Sequence, residues 1–427
     1  MKVRKQSLLY GILKPFVYIA ARLLYRRWLV IGRQRFPMNG KPVVIVSNHQ
    51  NALMDPLLCC LTAPRQVHFL TRADVFKSAL ARPFVFALNM MPVYRFRDKV
   101  SDMGKRNDKT FLTTIGRLKL GATIGIFPEG NHGARKLLRP VKKGIAYLLE
   151  LGGNEHDLRG VQIVPVGVDY SHYHIARASL VVHYGQAFEV DDLLFSDEDR
   201  ITRHKAVMER IREKLSRAML DLGPAKLYPA LRIAEMVMIE GKGYKEWIGI
   251  HHKLHAYRDE LKLREVDQLL ANAETLMAWT EEEKVDPKAC VQHTMEVEPK
   301  HTFGSILAVV LGLPAILFFA LPWQLVLATV KKIVIDPHFN QTFRLVFAFL
   351  YFPLFLAAAA CTLGFLTEGN YYLYFLITMV VSGIIALPGL DVIADIRRYK
   401  KARAAIDKAS NLAIWKSVVS HFQKELL

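Results

Sequence analysis

Ser47-Asn48-His49-Gln50-Asn51-Ala52-Leu53-Met54-Asp55-Pro56 follows directly on the β-branched run Val43–Ser47. A histidine at the end of a buried strand, with an acid six positions on, is suited to general-base chemistry. A neutral imidazole takes the proton from a hydroxyl, while the carboxylate fixes its tautomer and steadies the imidazolium. On a regular helix, residues six apart lie about 120° from each other around the axis. His49 and Asp55 therefore meet only if the chain between them forms a turn or an irregular helix start. Taken alone, a histidine and an acid at this spacing are more often structural.

Three further strand ends change the weight of that pair. Met91-Pro92-Val93-Tyr94-Arg95 puts an arginine after a short apolar run. Ile126-Phe127-Pro128-Glu129-Gly130 closes another strand with a glycine able to bring backbone amides near a phosphate. Val164-Pro165-Val166 is expected to end a third strand. Proline and glycine at strand ends are ordinarily turn residues, so each feature alone is weak. In this order, within one α/β unit, they form a specific set.

That set resembles the glycerolipid acyltransferases, the family of glycerol-3-phosphate and lysophosphatidic acid acyltransferases. The resemblance covers Leu24 to about Glu189. It implies that His49 and Asp55 are the catalytic pair and that Arg95 holds the glycerol phosphate. It also implies that Phe127, Pro128, Glu129 and Gly130 form a second substrate-binding element, with Pro165 in a fourth block. One subgroup looks closer still, with its extended motif around the histidine and the C-terminal Asp336-Pro337, Phe339, Thr342 and Phe352-Pro353-Leu354. Two departures stand out. Five residues separate His49 from Asp55, where the family's common form has four, although the subgroup shares the longer gap. The third block continues Asn131-His132-Gly133, without the usual arginine, which leaves Arg135, Arg139 or Lys142 as substitutes for a phosphate contact.

The implied reaction moves a fatty acyl group from a coenzyme A or acyl-carrier-protein thioester to a hydroxyl of glycerol-3-phosphate or a lysophospholipid. No cofactor and no metal are implied. His172, His174 and His251-His252 show no convincing set of metal partners in the sequence.

The elements that must position these residues follow from the pattern. Val43–Ser47, Val67–Leu70, Thr123–Phe127, Val161–Val168 and Leu180–Tyr184 are short apolar runs, with helical stretches such as Lys109–Leu120 and Lys142–Leu151 between them. Such runs predict an α/β fold with a mostly parallel sheet and flanking helices over residues 36–195. Residues 1–35 are expected to hold an interfacial amphipathic helix, with Tyr10, Leu13, Phe16, Val17, Ala20, Leu24 and Trp28 sharing a face and Arg22, Arg26 and Arg27 reaching headgroups. Residues 196–300 read as a helical arm, with Ala206–Leu220 and Glu260–Trp279 as helices.

Three apolar blocks follow within residues 301–392: Phe303–Val330, Phe343–Leu366 and Tyr371–Leu390. The second and third have ordinary spanning length. The first would run about 42 Å as a helix and is interrupted by Pro314 and Pro322, which favours a re-entrant hairpin over a single span. Lys331-Lys332, Arg344 and the run Arg397–Arg403 then all lie on the cytoplasmic side, with Thr367–Asn370 outside. Residues 393–427 are expected to form a basic cytoplasmic helix, and the catalytic domain is placed on the cytoplasmic face.

Composition agrees with a membrane partner. The 427 residues are 52% hydrophobic and 23% charged, and 58 Lys and Arg against 39 Asp and Glu give a net charge of +19. A positive excess suits an anionic membrane surface or nucleic acid. The apolar C-terminal runs favour the membrane, and no aromatic-basic motif for nucleic acid is present. Cys59, Cys60, Cys290 and Cys361 lack metal-ligand spacing, and no cleavable signal segment is evident. Alternatives to an enzyme are a non-catalytic lipid-binding protein that keeps the fold, motivated by the two departures, and a transporter, motivated by the proline-broken first block.

Overall fold

Val43–Ser47 is apolar at every position because both of its faces are covered. Val43 and Ile45 point into one core cluster, Val44 and Val46 into another. This strand, β2, lies at the centre of a seven-stranded sheet in the computed structural model, which describes residues 8–73, 76, 90–94, 100–366, 371–409 and 411–427. The other strands are β1 (Arg27–Ile31), β3 (Val67–Arg72), β4 (Met91–Val93), β5 (Thr123–Ile126), β6 (Gln162–Tyr170) and β7 (Ser179–Tyr184). Their order is β1-β7-β6-β2-β5-β3-β4, and every pairing is parallel except β6 with β7.

Helices cover both faces. On one, α1 (Leu8–Leu24) packs through Val17, Ala20 and Leu24, beside Met54, Leu58 and Cys59 of α2 (Met54–Thr62). On the other lie α3 (Met103–Lys119), α4 (Gly144–His156) and α5 (Arg200–Ala218), whose Ile115, Leu148, Val207 and Ile211 are fully or nearly fully buried. Parallel β2, β3, β4 and β5 all point the same way, so the chain leaves them at one common edge. In open sheets of this kind ligands bind at that carboxyl edge.

Several expectations are corrected. The N-terminal helix stops at Leu24, and Arg27–Ile31 is a strand on the sheet edge beside β7. Its bulky Trp-Leu-Val-Ile run finds more in a ladder than on a helix face. Pro165 does not end a strand but sits inside β6. The ring fits because Gly185 opposite has no side chain, and the Gly185 amide donates to the Pro165 carbonyl at 2.8 Å. The helix Arg200–Ala218, read as part of the arm, belongs to the compact unit of the sheet, which comprises residues up to Leu220 and Val334–Leu345. Its apolar stripe closes the second core cluster.

The other compact unit comprises Asp221–Ile333 and Val346–Leu427. It contains α6 (Tyr228–Lys242), α7 (Trp247–Leu261), α8 (Asp267–Glu282) and α9 (Pro287–Thr294), so the expected helix Glu260–Trp279 is broken near residues 262–266. Among the described residues, three helices are long and apolar enough to cross a membrane: α10 (Phe303–Ile333), a helical run over Pro337–Leu366 whose α-helical part is α11 (Asn340–Leu366), and α12 (Tyr371–Ala409). The basic tail does not start a new helix at 393. It continues α12 to Ala409, and α13 (Leu412–Leu426) follows.

The first apolar block is one continuous helix, not a hairpin. Each proline removes a single backbone hydrogen bond, which an apolar helix with packed neighbours tolerates. Gly312 faces Ser382 and Ala386, and Gly389 faces Ser305 and Val309, so α10 and α12 run antiparallel. Lys331-Lys332 and Arg397–Arg403 therefore sit at opposite ends of the pair, against the expectation of a common side. The loop 367–370 lies outside the described residues. Small residues allow the close approach: a Cβ on Gly389 would lie 2.4 Å from Val309 Cγ2, and one on Gly312 would lie 2.3 Å from the Ala386 Cβ. Gly389→Leu should separate the helices and destabilise the protein by about 1–3 kcal/mol, read as a lower melting temperature in detergent, while Gly364→Leu, which has only Tyr372 nearby at 3.9 Å, should change little.

His68, on β3, is buried and accepts a hydrogen bond from Arg117 at 3.1 Å on Nδ1. Burial first, then the Arg117 charge, lowers its pKa to about 4. An unfolded histidine titrates near 6.5, so between those values the unfolded chain binds the proton and the folded one does not. The stability held above pH 6.5 is thus lost as pH falls toward 4. Lowering pH from 7 to 5 should reduce the unfolding free energy by about 1–2 kcal/mol through this residue, and His68→Gln should flatten that part of the profile.

Candidate active site

The five residues between His49 and Asp55 are accommodated by an irregular turn. Ala52 takes a left-handed φ of 30°, and the amides of Met54 and Asp55 both donate to the Asn51 carbonyl as α2 begins. Asp55 falls in the first turn of that helix, fully buried. Its Oδ2 accepts from His49 Nδ1 and from the amides of Gln50 and Asn51, each at 2.7 Å. Its Oδ1 accepts from the Tyr170 hydroxyl at 2.6 Å. Burial, then the Asp55 charge, pushes the Tyr170 phenol well above its usual range, so it stays protonated and donates. A carboxylate held by four donors cannot rotate away, and the proton on His49 Nδ1 is held with it. That leaves Nε2 as the nitrogen with a free lone pair.

The loop is anchored on both sides. Asn48 exchanges two hydrogen bonds with the backbone of Val168 on β6, at 2.8 and 2.9 Å, and the Asn51 amide donates to the Tyr173 carbonyl. The His49 ring stacks on Phe127 with centroids 4.2 Å apart, and Phe127 stacks on Phe69 at 5.4 Å. Phe69 reaches that position because Gly125 lacks a side chain, whose Cβ would fall 2.3 Å from the Phe69 ring.

The other expected site residues divide. Phe127 lines the histidine. Pro128 accepts from the Lys142 amide at 2.8 Å, and Gly130, at φ 72°, closes its turn by donating its amide to the Phe127 carbonyl at 3.1 Å. The Gly130 amide is thus spent within the loop and does not face a phosphate. Glu129 and Arg139 differ most from expectation. The Glu129 side chain is buried and paired with Arg139, whose guanidinium also donates to the carbonyls of His49 and Asn131. Burial raises the Glu129 pKa, and Arg139 pulls against it without cancelling it. This pair fastens the loop and is not available for a phosphate. Arg135 and Lys142 are exposed. Arg95 lies outside the described residues.

The sequence reading missed Tyr170, distant in the chain, and His132, which stands edge-on to His49 at 5.7 Å. It also missed Arg72, whose charge reaches His132 from the end of β3. Only the apolar run before Arg72 signalled a strand edge.

A histidine at the carboxyl edge of a mostly parallel sheet, with a buried carboxylate locked behind it, has the geometry that general-base chemistry requires. The acyltransferase family model matches residues 27–169, the segment that contains every one of these strands up to β6. Glycerol-3-phosphate O-acyltransferase 2 of Saccharomyces cerevisiae is 31% identical over 116 residues, 26% of this chain and 15% of that one. Glycerol-3-phosphate O-acyltransferase 1 of the same yeast is 30% identical over 96 residues, 22% of this chain and 13% of its own. The matches thus span a small part of these relatives. Among solved structures, the 1-acyl-sn-glycerophosphate acyltransferase PlsC of Thermotoga maritima is 16% identical, covers 50% of this chain and 83% of its own, and has a TM-score of 0.35. Over residues 27–169 the chain therefore matches an acyltransferase domain and is similar to glycerol-3-phosphate acyltransferases.

Proposed function

We propose that this protein is a membrane-bound O-acyltransferase that transfers a fatty acyl group from an acyl-CoA or acyl-carrier-protein thioester to a hydroxyl of glycerol-3-phosphate or a lysophospholipid. The observation that carries the reading is the locked His49–Asp55 pair with Nε2 free. His49 Nε2 takes the proton of the acceptor hydroxyl as its oxygen attacks the thioester carbonyl. The tetrahedral intermediate collapses to the ester, the carbon–sulfur bond breaks, and the imidazolium returns its proton to the leaving thiolate. Asp55 stabilises the imidazolium throughout.

The yeast relatives' names favour glycerol-3-phosphate as acceptor. Arg72, Arg95, Arg135 and Lys142 are the candidates for its phosphate, now that Arg139 is committed elsewhere. Membrane attachment is supported by the three long apolar helices and by α1, where Ile12, Phe16, Ile19 and Leu23 form one exposed stripe. A cytoplasmic catalytic face remains part of the proposal, although Lys331-Lys332 and Arg397–Arg403, at opposite ends of the α10–α12 pair, do not argue for it together. Detergent-purified protein given one acyl-CoA and a mixture of glycerol-3-phosphate, lysophosphatidic acid and neutral lysophospholipids should yield acylated glycerol-3-phosphate or lysophosphatidic acid by mass spectrometry. Acylation of a monoacylglycerol added alongside, with none of these phosphate-bearing acceptors acylated, would overturn the assignment of a phosphate-bearing substrate.

A further inference from the structure

His132 lies in the loop leaving β5, and Asp336 and His338 come from the segment 334–345 of the same compact unit. One donor atom of each lies within 4.8 Å of the other two. His338 Nδ1 is 2.7 Å from Asp336 Oδ1, and His132 Nε2 is 3.7 Å from Asp336 Oδ2. The two imidazole centroids are 4.5 Å apart, with Tyr173 stacked on His338 at 4.9 Å and Phe339 edge-on to His132 at 5.7 Å. The other ring nitrogens, His132 Nδ1 and His338 Nε2, have no hydrogen-bond partner among the described residues.

The chemistry of the trio is that of a metal-binding set. Metals take neutral imidazole and ionised carboxylate. Two imidazoles and one carboxylate suit a zinc-class ion in tetrahedral coordination, where bonds of about 2.0–2.2 Å set donor atoms roughly 3.4 Å apart.

We propose that His132, Asp336 and His338 bind a divalent transition-metal ion of the zinc class, which fastens the 334–345 segment to the loop beside His49. Asp336 and His338 are about 200 positions from His132, so no ligand spacing announced the set. The inference stands apart from the acyl-transfer proposal, since binding is measured without turnover.

The test uses the full chain purified in detergent, stripped with a chelator and titrated with ZnCl2 against a chromophoric chelator. One tight site per chain is expected. His132→Ala and His338→Ala should each weaken it at least about tenfold. The double variant His251→Ala/His255→Ala should leave it intact, although those rings lie 4.4 Å apart. His338→Cys keeps a ligand in place, and with Co2+ it should gain a thiolate-to-cobalt charge-transfer absorption that separates lost coordination from lost folding. Absence of a tight site would overturn the proposal, as would a site that survives both alanine variants or disappears with His251 and His255.

Discussion

Asp55→Asn is expected to lower the rate of acyl transfer by about 10²–10⁴-fold, and His49→Ala by at least as much. The asparagine amide can present an N–H where His49 Nδ1 now donates, which favours the tautomer with its proton on Nε2 and removes the base. It also meets the Gln50 and Asn51 amides and the Tyr170 hydroxyl, all donors directed at the present carboxylate. Asp55→Asn should therefore lose stability as well as rate. His49→Ala should lose rate with a smaller loss of stability, because it removes only one of the four donors to Asp55, and does so from a part-exposed ring. Steady-state kinetics beside thermal unfolding of the same preparations separates the two effects. Equal loss of stability in both variants would mean that His49 holds the loop rather than reacts.

Arg139→Ala is expected to destabilise the protein by about 2–3 kcal/mol and to reduce activity. Removing one partner of a buried ion pair leaves an uncompensated charge. The figure is held below that for a fully buried pair because the Arg139 side chain is 31% exposed while that of Glu129 is 2% exposed. The loss of activity follows from the second half of the contact: the same guanidinium donates to the His49 carbonyl at 3.1 Å, and the Gly133 amide donates there at 3.0 Å. Arg139→Lys should recover little, since one ammonium cannot reproduce a fork that reaches a carboxylate and two carbonyls. Melting temperature and KM together check this. A raised KM with unchanged stability would mean that Arg139 contacts the acceptor.

These two sites show what the sequence carried and what it withheld. His49 and Asp55 were legible as types, and the strands that present them were legible as apolar runs between helices. The contact between them depended on a left-handed Ala52, which no residue preference at that position announces. Glu129 was legible as a site-loop residue, but its partner was not. A buried acid followed by several basic residues within one loop leaves open which of them turns inward, and only packing selects Arg139 over Arg135 or Lys142. Tyr170 stands 115 positions from Asp55, a distance over which periodicity carries no information. The proline-interrupted block was misread for a related reason. Pro314 and Pro322 weaken a helix locally, whereas the Gly312–Ala386 and Gly389–Ser305 contacts that pair it with α12 are tertiary.

Thiol release in the presence and absence of acceptor tests the central claim most directly. Purified protein is given acyl-CoA, and free thiol and ester product are followed together. Direct attack by the acceptor hydroxyl predicts no thiol burst without acceptor, one thiol per ester with it, and the loss of both in His49→Ala. A burst of thiol without acceptor, or full ester formation by His49→Ala, would contradict a mechanism in which His49 acts as the base for direct acyl transfer.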